Sequence, residues 1–318
     1  MSSRRLPERA TLIEVGPRDG FQMEERFIPT ELKVATIERL ARAGLREIEA
    51  VSFVHPRVIP QMQDADAVMQ QVDRLPDVWY WALVPNVRGA ERALAAGVDG
   101  VHQVICCTET YNRRNVGLSV DESVAQLEQV VRLAGQASGR NGWKVVTAVT
   151  LAATFGCPFE GQLEVDVLVE LARRLAATGI DQLGLADSAG LGHPVLVRQI
   201  TAEIQRALPG LELRMHLHDT RGLGIANAMA ALELGIERFD TALGGLGGCP
   251  LMRGASGNIA TEDFNNLCLE LGIETGVDTA AVVDASRQME QFLERRLPSR
   301  ILASGTRQQL YELNRSPG

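Results

Sequence analysis

WYWALVPNVRGAERALAAGVDGVHQVIC, residues Trp79–Cys106, contains the unit that decides the fold. An apolar run, Trp79–Val84, precedes a segment, Val87–Ala96, whose apolar residues recur at helical spacing; Gly97 and a second β-branched run, Gly100–Cys106, follow. A strand, a helix, a glycine suited to the left-handed C-cap and another strand form a βα unit, because parallel neighbours need a crossover long enough to be a helix.

The same pattern extends in both directions. Further strands are expected at Thr11–Val15, Glu47–Ser52, Lys144–Val149, Gln182–Ala186, Glu212–Leu217 and Arg238–Leu243. Helices are expected near Thr30–Ala43, Gln61–Gln71, Val120–Ala137, Glu164–Ala177, Pro194–Ala207, Gly222–Leu234 and Thr261–Leu271. Glycine turns close several of them, at Ala43-Gly44, Ala96-Gly97, Thr178-Gly179 and Leu234-Gly235. Eight such units in about 250 residues predict an α/β protein with a closed (β/α)₈ TIM barrel. A doubly wound open sheet is the alternative, but it uses about five or six strands and leaves two units over. No linker interrupts the run, so residues 1–275 are expected to form one barrel domain. Residues 276–318 are expected to be an extension on or near it: an amphipathic helix, Thr279 to Arg295, and a polar, frayed tail.

The chain has 318 residues, 45% of them hydrophobic, a net charge of −8 and a pI near 5.3. An acidic surface without a basic run argues against a nucleic-acid partner. No stretch approaches the roughly 20 apolar residues of a membrane span, and MSSRRLPERA lacks the apolar core of a secretory signal. A soluble, cytoplasmic protein is expected. Five scattered cysteines, without knuckle spacing, suggest neither a disulfide framework nor structural zinc. Cys106 and Cys107 end a strand, where burial accounts for them.

A barrel builds its site where strands end and βα loops begin. Strand ends here carry Arg18, Asp19 and Gln22 in GPRDGFQ, Glu49 and Ser52 in IEAVSF, Asp187 in LADSAG, and His216, His218 and Asp219 in MHLHDT. The glycine-rich stretch after the last strand carries Cys249 and Asn258. His216 and His218, two apart on a strand, point to one face, here the lumen. Such a pair is either hydrogen-bonded core or a pair of metal ligands. With the Asp19 carboxylate and the Asn258 amide oxygen it makes a nitrogen and oxygen set suited to Mg²⁺ or Mn²⁺ rather than tetrahedral zinc.

Arg18 is either half of a structural ion pair or a cation that stabilises an enolate oxygen as it forms. Glu49 and Asp187 either orient Arg18 and the substrate or satisfy lumen hydrogen bonds. Residues Gly244 to Gly257 include six glycines but neither GxxxxGK[ST] nor a strand-following GxGxxG, which excludes the common phosphate cradles. They are expected to form a lid carrying Cys249, which is otherwise a packed small residue. His55, His102 and His193 have no visible partners and receive no role.

Together EVGPRDGFQ, IEAVSFVHP, PQMQDAD, NRRNVG, FGCPFEG, MHLHDTRG, and GGLGGCP followed by GASGN resemble the metal-dependent lyase family of 3-hydroxy-3-methylglutaryl-CoA lyase, within the group that includes isopropylmalate and homocitrate synthases. The likeness spans about residues 11 to 275. It implies Asp19, His216, His218 and Asn258 as metal ligands, Arg18 as enolate stabiliser and Cys249 as lid cysteine. It also implies roles for Glu49 and Asp187 in catalysis and for Asn115 at the substrate, where Gln22, Ser52 and Arg221, at or just after strand ends, are expected as well.

The implied reaction is retro-Claisen cleavage of 3-hydroxy-3-methylglutaryl-CoA to acetyl-CoA and acetoacetate by a carbon–carbon lyase, with a divalent cation, an acyl-CoA substrate and a homodimeric assembly. The general base is open, and the proton donor is His216 or Cys249. Leu251, Met252, Arg253, Tyr111 and Arg221 depart from the family pattern, so another branched 3-hydroxyacyl-CoA, such as citramalyl-CoA, is an alternative substrate. A condensing acyltransferase of the same superfamily is a further alternative. A non-enzymatic scaffold, of a different class, predicts no stabilisation by metal.

Overall fold

The computed structural model describes residues 6–248 and 257–315. Among these residues, strands β1 (Thr11–Glu14), β2 (Glu47–Ser52), β3 (Trp79–Leu83), β4 (Gly100–Cys106), β5 (Val146–Ala152), β6 (Gln182–Asp187), β7 (Glu212–Leu217) and β8 (Arg238–Thr241) pair in parallel, in sequence order, and β8 returns to β1 to close the barrel. Every residue of β2, β5 and β6 is buried, as expected of a parallel sheet covered on its outer face and filled within.

The covering helices are α1 (Thr30–Arg42), α2 (Ala65–Gln71), α3 (Val87–Ala95), α4 (Glu109–Val116), α5 (Val120–Asn141), α6 (Val165–Ala177), α7 (Pro194–Ala207), α8 (Gly224–Leu232) and α9 (Thr261–Glu270). Gly44, Gly97, Gly179 and Gly235 take φ values of 98°, 72°, 87° and 80°, which bears out the glycine stops. No helix among the described residues is long and apolar enough to cross a membrane.

Several boundaries differ from expectation for local reasons. β5 begins at Val146 and runs to Ala152, because the β-branched, small run continues while Trp143 and Lys144 stay exposed. The helix expected from Gln61 begins only at Ala65. Lys33 Nζ takes the Gln61 carbonyl at 2.5 Å and the Asp64 carboxylate at 2.6 Å, which ties down the segment before it.

Helix α4 was absent from the expected set; Thr108 caps it, its hydroxyl accepting the Tyr111 amide at 3.3 Å. The segment expected as a polar tail carries further helices. Helix α10 (Thr279–Leu293) packs on α1 and α9, and α11 (Arg300–Ser304) and α12 (Arg307–Arg315) follow. Asp263 anchors the start of α11, accepting the Ile301 amide at 2.8 Å and the Arg300 amide at 2.9 Å.

Candidate active site

Directly after β1 the GPRDG segment folds into a single π-helical turn, Gly16–Gly20. Glu14 builds it: one carboxylate oxygen accepts the Gly16 amide at 2.8 Å and the Leu243 amide at 2.9 Å, and the other accepts the Thr261 hydroxyl at 2.6 Å. A Cβ on Gly16 would lie 2.3 Å from Leu243 and 2.6 Å from that carboxylate, so only glycine fits. Glu262 accepts the Gly244 amide at 3.0 Å, fixing the loop after β8 in the same way. Burial raises both Glu14 and Glu262 to about 7.

The turn brings Arg18 and Asp19 to the mouth of the barrel, both buried. Arg18 Nη1 donates to Asp19 at 2.6 Å, and its Nε donates to Glu49 on β2. Burial works against the Asp19 carboxylate, but Arg18, His216 and His218 outweigh it and hold its pKa below the usual range. Glu49 is likewise held low: burial opposes its charge, and Arg18 and His102 overcome that.

Asp19, His216 and His218 offer ligand atoms that all lie within 4.8 Å of one another. His216 Nδ1 is 3.0 Å from Asp240 on β8; a carboxylate only accepts, so Nδ1 carries the proton and the Nε2 lone pair points outward. That Nε2 lies 3.0 Å from Nε2 of His218. The His218 pKa falls to about 4, first through burial and then through His216, so its ring is neutral at pH 7. An isolated antiparallel bridge seats Asn258 beside His218, and its amide donates to Asp19 at 2.7 Å.

Asn258 Oδ1 has no hydrogen-bond partner among the described residues, whereas the His218 ring interacts with the Ser188 backbone. Three buried carboxylates, Asp19, Glu49 and Asp240, face two buried guanidiniums, Arg18 and Arg214, leaving net negative charge. The unpartnered Asn258 oxygen, the neutral His218 ring and the excess negative charge fit a divalent cation with mixed nitrogen and oxygen ligands.

A cavity of about 220 Å³ opens onto this cluster. Arg18, Asp19, Gln22, His216 and His218 line one side, and Asn115 lines it from α4. Val54, Val58, Ile59, Val84 and Val104 make an apolar wall. Glu49 stands behind Arg18, off the cavity, and Asn258 behind Asp19.

Three expected site residues are committed elsewhere. The Ser52 hydroxyl accepts the Val54 amide at 3.3 Å. Asp187, raised to about 6 by burial, accepts the Leu191 and Gly192 amides at 2.8 and 3.0 Å, which shapes its own loop. Arg221 is exposed and donates to the Ala189 and Gly190 carbonyls at 2.7 and 3.1 Å. Cys249 lies outside the described residues, as do Leu251, Met252 and Arg253.

The structure adds lumen residues that the sequence reading passed over: His102, Thr150, Arg214 and Asp240. Their signal was the period of two, since Arg214 precedes His216 by two residues on one strand and shares its face.

Comparison with known proteins places the chain in a family. The sequence model of the HMGL-like family matches residues 9–289. The chain is 40% identical to hydroxymethylglutaryl-CoA lyase of Bacillus subtilis, over 93% of this chain and 97% of that one. It is 36% identical to the mitochondrial hydroxymethylglutaryl-CoA lyase of Gallus gallus, over 95% and 99%. An HMG-CoA lyase structure from Acinetobacter baumannii, in complex with coenzyme A and 3-methylmalate, superposes with a TM-score of 0.88 at 38% identity, covering 94% of this chain and 96% of that one. With the closed barrel and the Asp19-His216-His218 cluster beside Arg18, these matches establish that the chain belongs to the HMGL-like family.

Proposed function

We propose that this carbon–carbon lyase cleaves 3-hydroxy-3-methylglutaryl-CoA, or a close acyl-CoA analogue, to acetyl-CoA and acetoacetate, with Mg²⁺ or Mn²⁺ held by Asp19, His216, His218 and Asn258. The observation that carries this reading is a buried guanidinium, Arg18, clamped by Asp19 and Glu49 in the cavity wall next to the His216–His218 pair. A divalent cation bound there supplies Lewis acidity that makes a tertiary hydroxyl easier to deprotonate.

The chain's own groups do the rest. Arg18 faces the cavity with its orientation set at two nitrogens, so it meets negative charge on a thioester-enolate oxygen without reorganising as the carbon–carbon bond breaks. Cys249 or His216 returns a proton to the enolate carbon, His216 only if its Nε2 first takes the proton of the substrate hydroxyl instead of holding the metal; Asp240 keeps the ring in the tautomer that presents the Nε2 lone pair. The valine-rich wall limits water around the carbanion. Asn115 and Gln22 offer amides to the acyl group.

A panel of 3-hydroxyacyl-CoA thioesters, including citramalyl-CoA, assayed for acetyl-CoA release with and without chelator, tests the proposal. Metal-dependent release from the methylglutaryl thioester is expected. Release from no member of the panel refutes it, and exclusive release of pyruvate from citramalyl-CoA refutes the acyl group.

A further inference from the structure

Beneath the cavity, His102 on β4 is buried with both ring nitrogens engaged. Nδ1 lies 2.7 Å from Glu49 Oε2, and Nε2 lies 2.8 Å from the Thr150 hydroxyl on β5. The carboxylate oxygen only accepts, so Nδ1 bears the proton; burial lowers the pKa of the ring and favours its neutral form, in which Nε2 accepts from Thr150. The Thr150 hydroxyl has room because the position across from it on β6 is Gly184, where a Cβ would sit 2.2 Å from Thr150 Oγ1. The two other described histidines not in the metal cluster serve local turns: His55 accepts the Arg57 amide at 3.1 Å and His193 accepts the Leu196 amide at 3.4 Å.

Glu49 is the junction. Its Oε1 accepts from Arg18 Nε and its Oε2 accepts from His102. The other cation facing Oε2, Arg214 Nη2, stands at 3.6 Å, beyond hydrogen-bond reach, and donates instead to Asp240 at 3.0 Å. Without the His102 donor, the buried Oε2 would be left unsatisfied, and a turn of the carboxylate toward Arg214 would draw Oε1 away from Arg18. The edge of the His102 ring borders the cavity, but with both nitrogens bound it offers no polar contact to a ligand.

We propose that His102 is a positioning residue for Arg18: by donating to Glu49 and accepting from Thr150, it fixes the carboxylate that aims the guanidinium into the cavity. The catalytic consequence rests on the reading of Arg18 as the enolate-stabilising group; the geometric consequence does not. His102→Leu removes the donor, whereas His102→Asn, of nearly the same shape, keeps a donor at the Nδ1 position.

In protein carrying ¹⁵N-labelled arginine, the Arg18 Nε–H resonance, assigned by its loss in Arg18→Lys, exchanges slowly with solvent in the wild type and in His102→Asn. In His102→Leu it exchanges roughly tenfold faster or more. On the best thioester of the panel, His102→Leu lowers kcat by roughly 10- to 100-fold while KM and the Mn²⁺ thermal shift stay near wild type, and His102→Asn recovers most of the loss. In Arg18→Lys the same Leu substitution has little further effect, because the group it orients is already gone.

Unchanged Arg18 exchange in folded His102→Leu overturns the proposal, as does a kinetic loss that adds in full to that of Arg18→Lys. A wild type with no lyase activity removes the proposed function instead, and the exchange measurement still decides His102. Should the Leu variant not fold, His102→Gln, which reaches Thr150 but withdraws the donor from Glu49, takes its place in both measurements.

Discussion

Glu14→Gln should make the protein more stable above neutral pH, although it removes a charge that accepts three hydrogen bonds. Glu14 is fully buried, and burial raises its pKa from 4.5 to about 7, with nearby Glu262 adding to the rise. A shift of that size disfavours the carboxylate in the folded protein by roughly 3 kcal/mol. The folded form holds its proton more tightly than the unfolded chain does. Stability from this group is therefore intact below about pH 4.5 and is lost progressively as the pH rises through about 7.

Glutamine imitates the protonated acid: its oxygen can still accept the Gly16 and Leu243 amides, and its amide can donate to Thr261, whose hydroxyl lies 2.9 Å from that of Thr241. Between about pH 5.5 and about pH 8.5 the wild type should lose about 2 kcal/mol through this residue, and the variant should not. Urea unfolding of both proteins at the two pH values measures the difference, and common contributions from other groups cancel. A variant less stable than wild type by the same amount at both pH values would refute the reasoning, since it would show that Glu14 is ionised in the folded protein throughout.

Two further outcomes follow from the metal cluster. Asp240→Asn should weaken Mn²⁺ binding by roughly 10- to 100-fold, because an amide facing His216 Nδ1 at 3.0 Å no longer demands a proton there and the Nε2 lone pair is no longer secured; calorimetric titration returning the wild-type affinity would contradict this. Mn²⁺ at about a hundred times its Kd should stabilise the wild type by about 2.7 kcal/mol, and His218→Ala should abolish the effect. A thermal shift that survives in His218→Ala would place the metal elsewhere.

How much of this was legible in the sequence depended on how far each residue's partner lies along the chain. The barrel was legible because each βα unit is local: the strand, the amphipathic segment and the glycine stop fall within about 30 residues. His216 and His218 were legible together because the strand period places them on one face. The same arithmetic put Arg214 on that face, but nothing nearby reveals that it meets Asp240, which β7–β8 pairing brings level with His216. Helix α4 and the anchoring of α11 were missed for opposite reasons: Thr108 is a local cap that went unread, whereas Asp263 caps α11 from more than 30 residues away.

Glu49 and Asp187 show why polar residues at strand ends are ambiguous. Both are buried acids in inner strands, yet Asp187 is satisfied by amides four and five residues downstream and so serves its own loop. The partners of Glu49, Arg18 and His102, lie in the turn after β1 and on β4, 31 and 53 residues away. Neither strand segment distinguishes the two cases. What distinguishes them is whether the following loop folds back to cap the carboxylate: in LADSAGLGH it does, and in EAVSFVHP it is the Ser52 hydroxyl that takes the returning amide of Val54. Glu49 is thereby left free to work across the lumen, and a histidine without a visible partner in the sequence becomes the group that holds it.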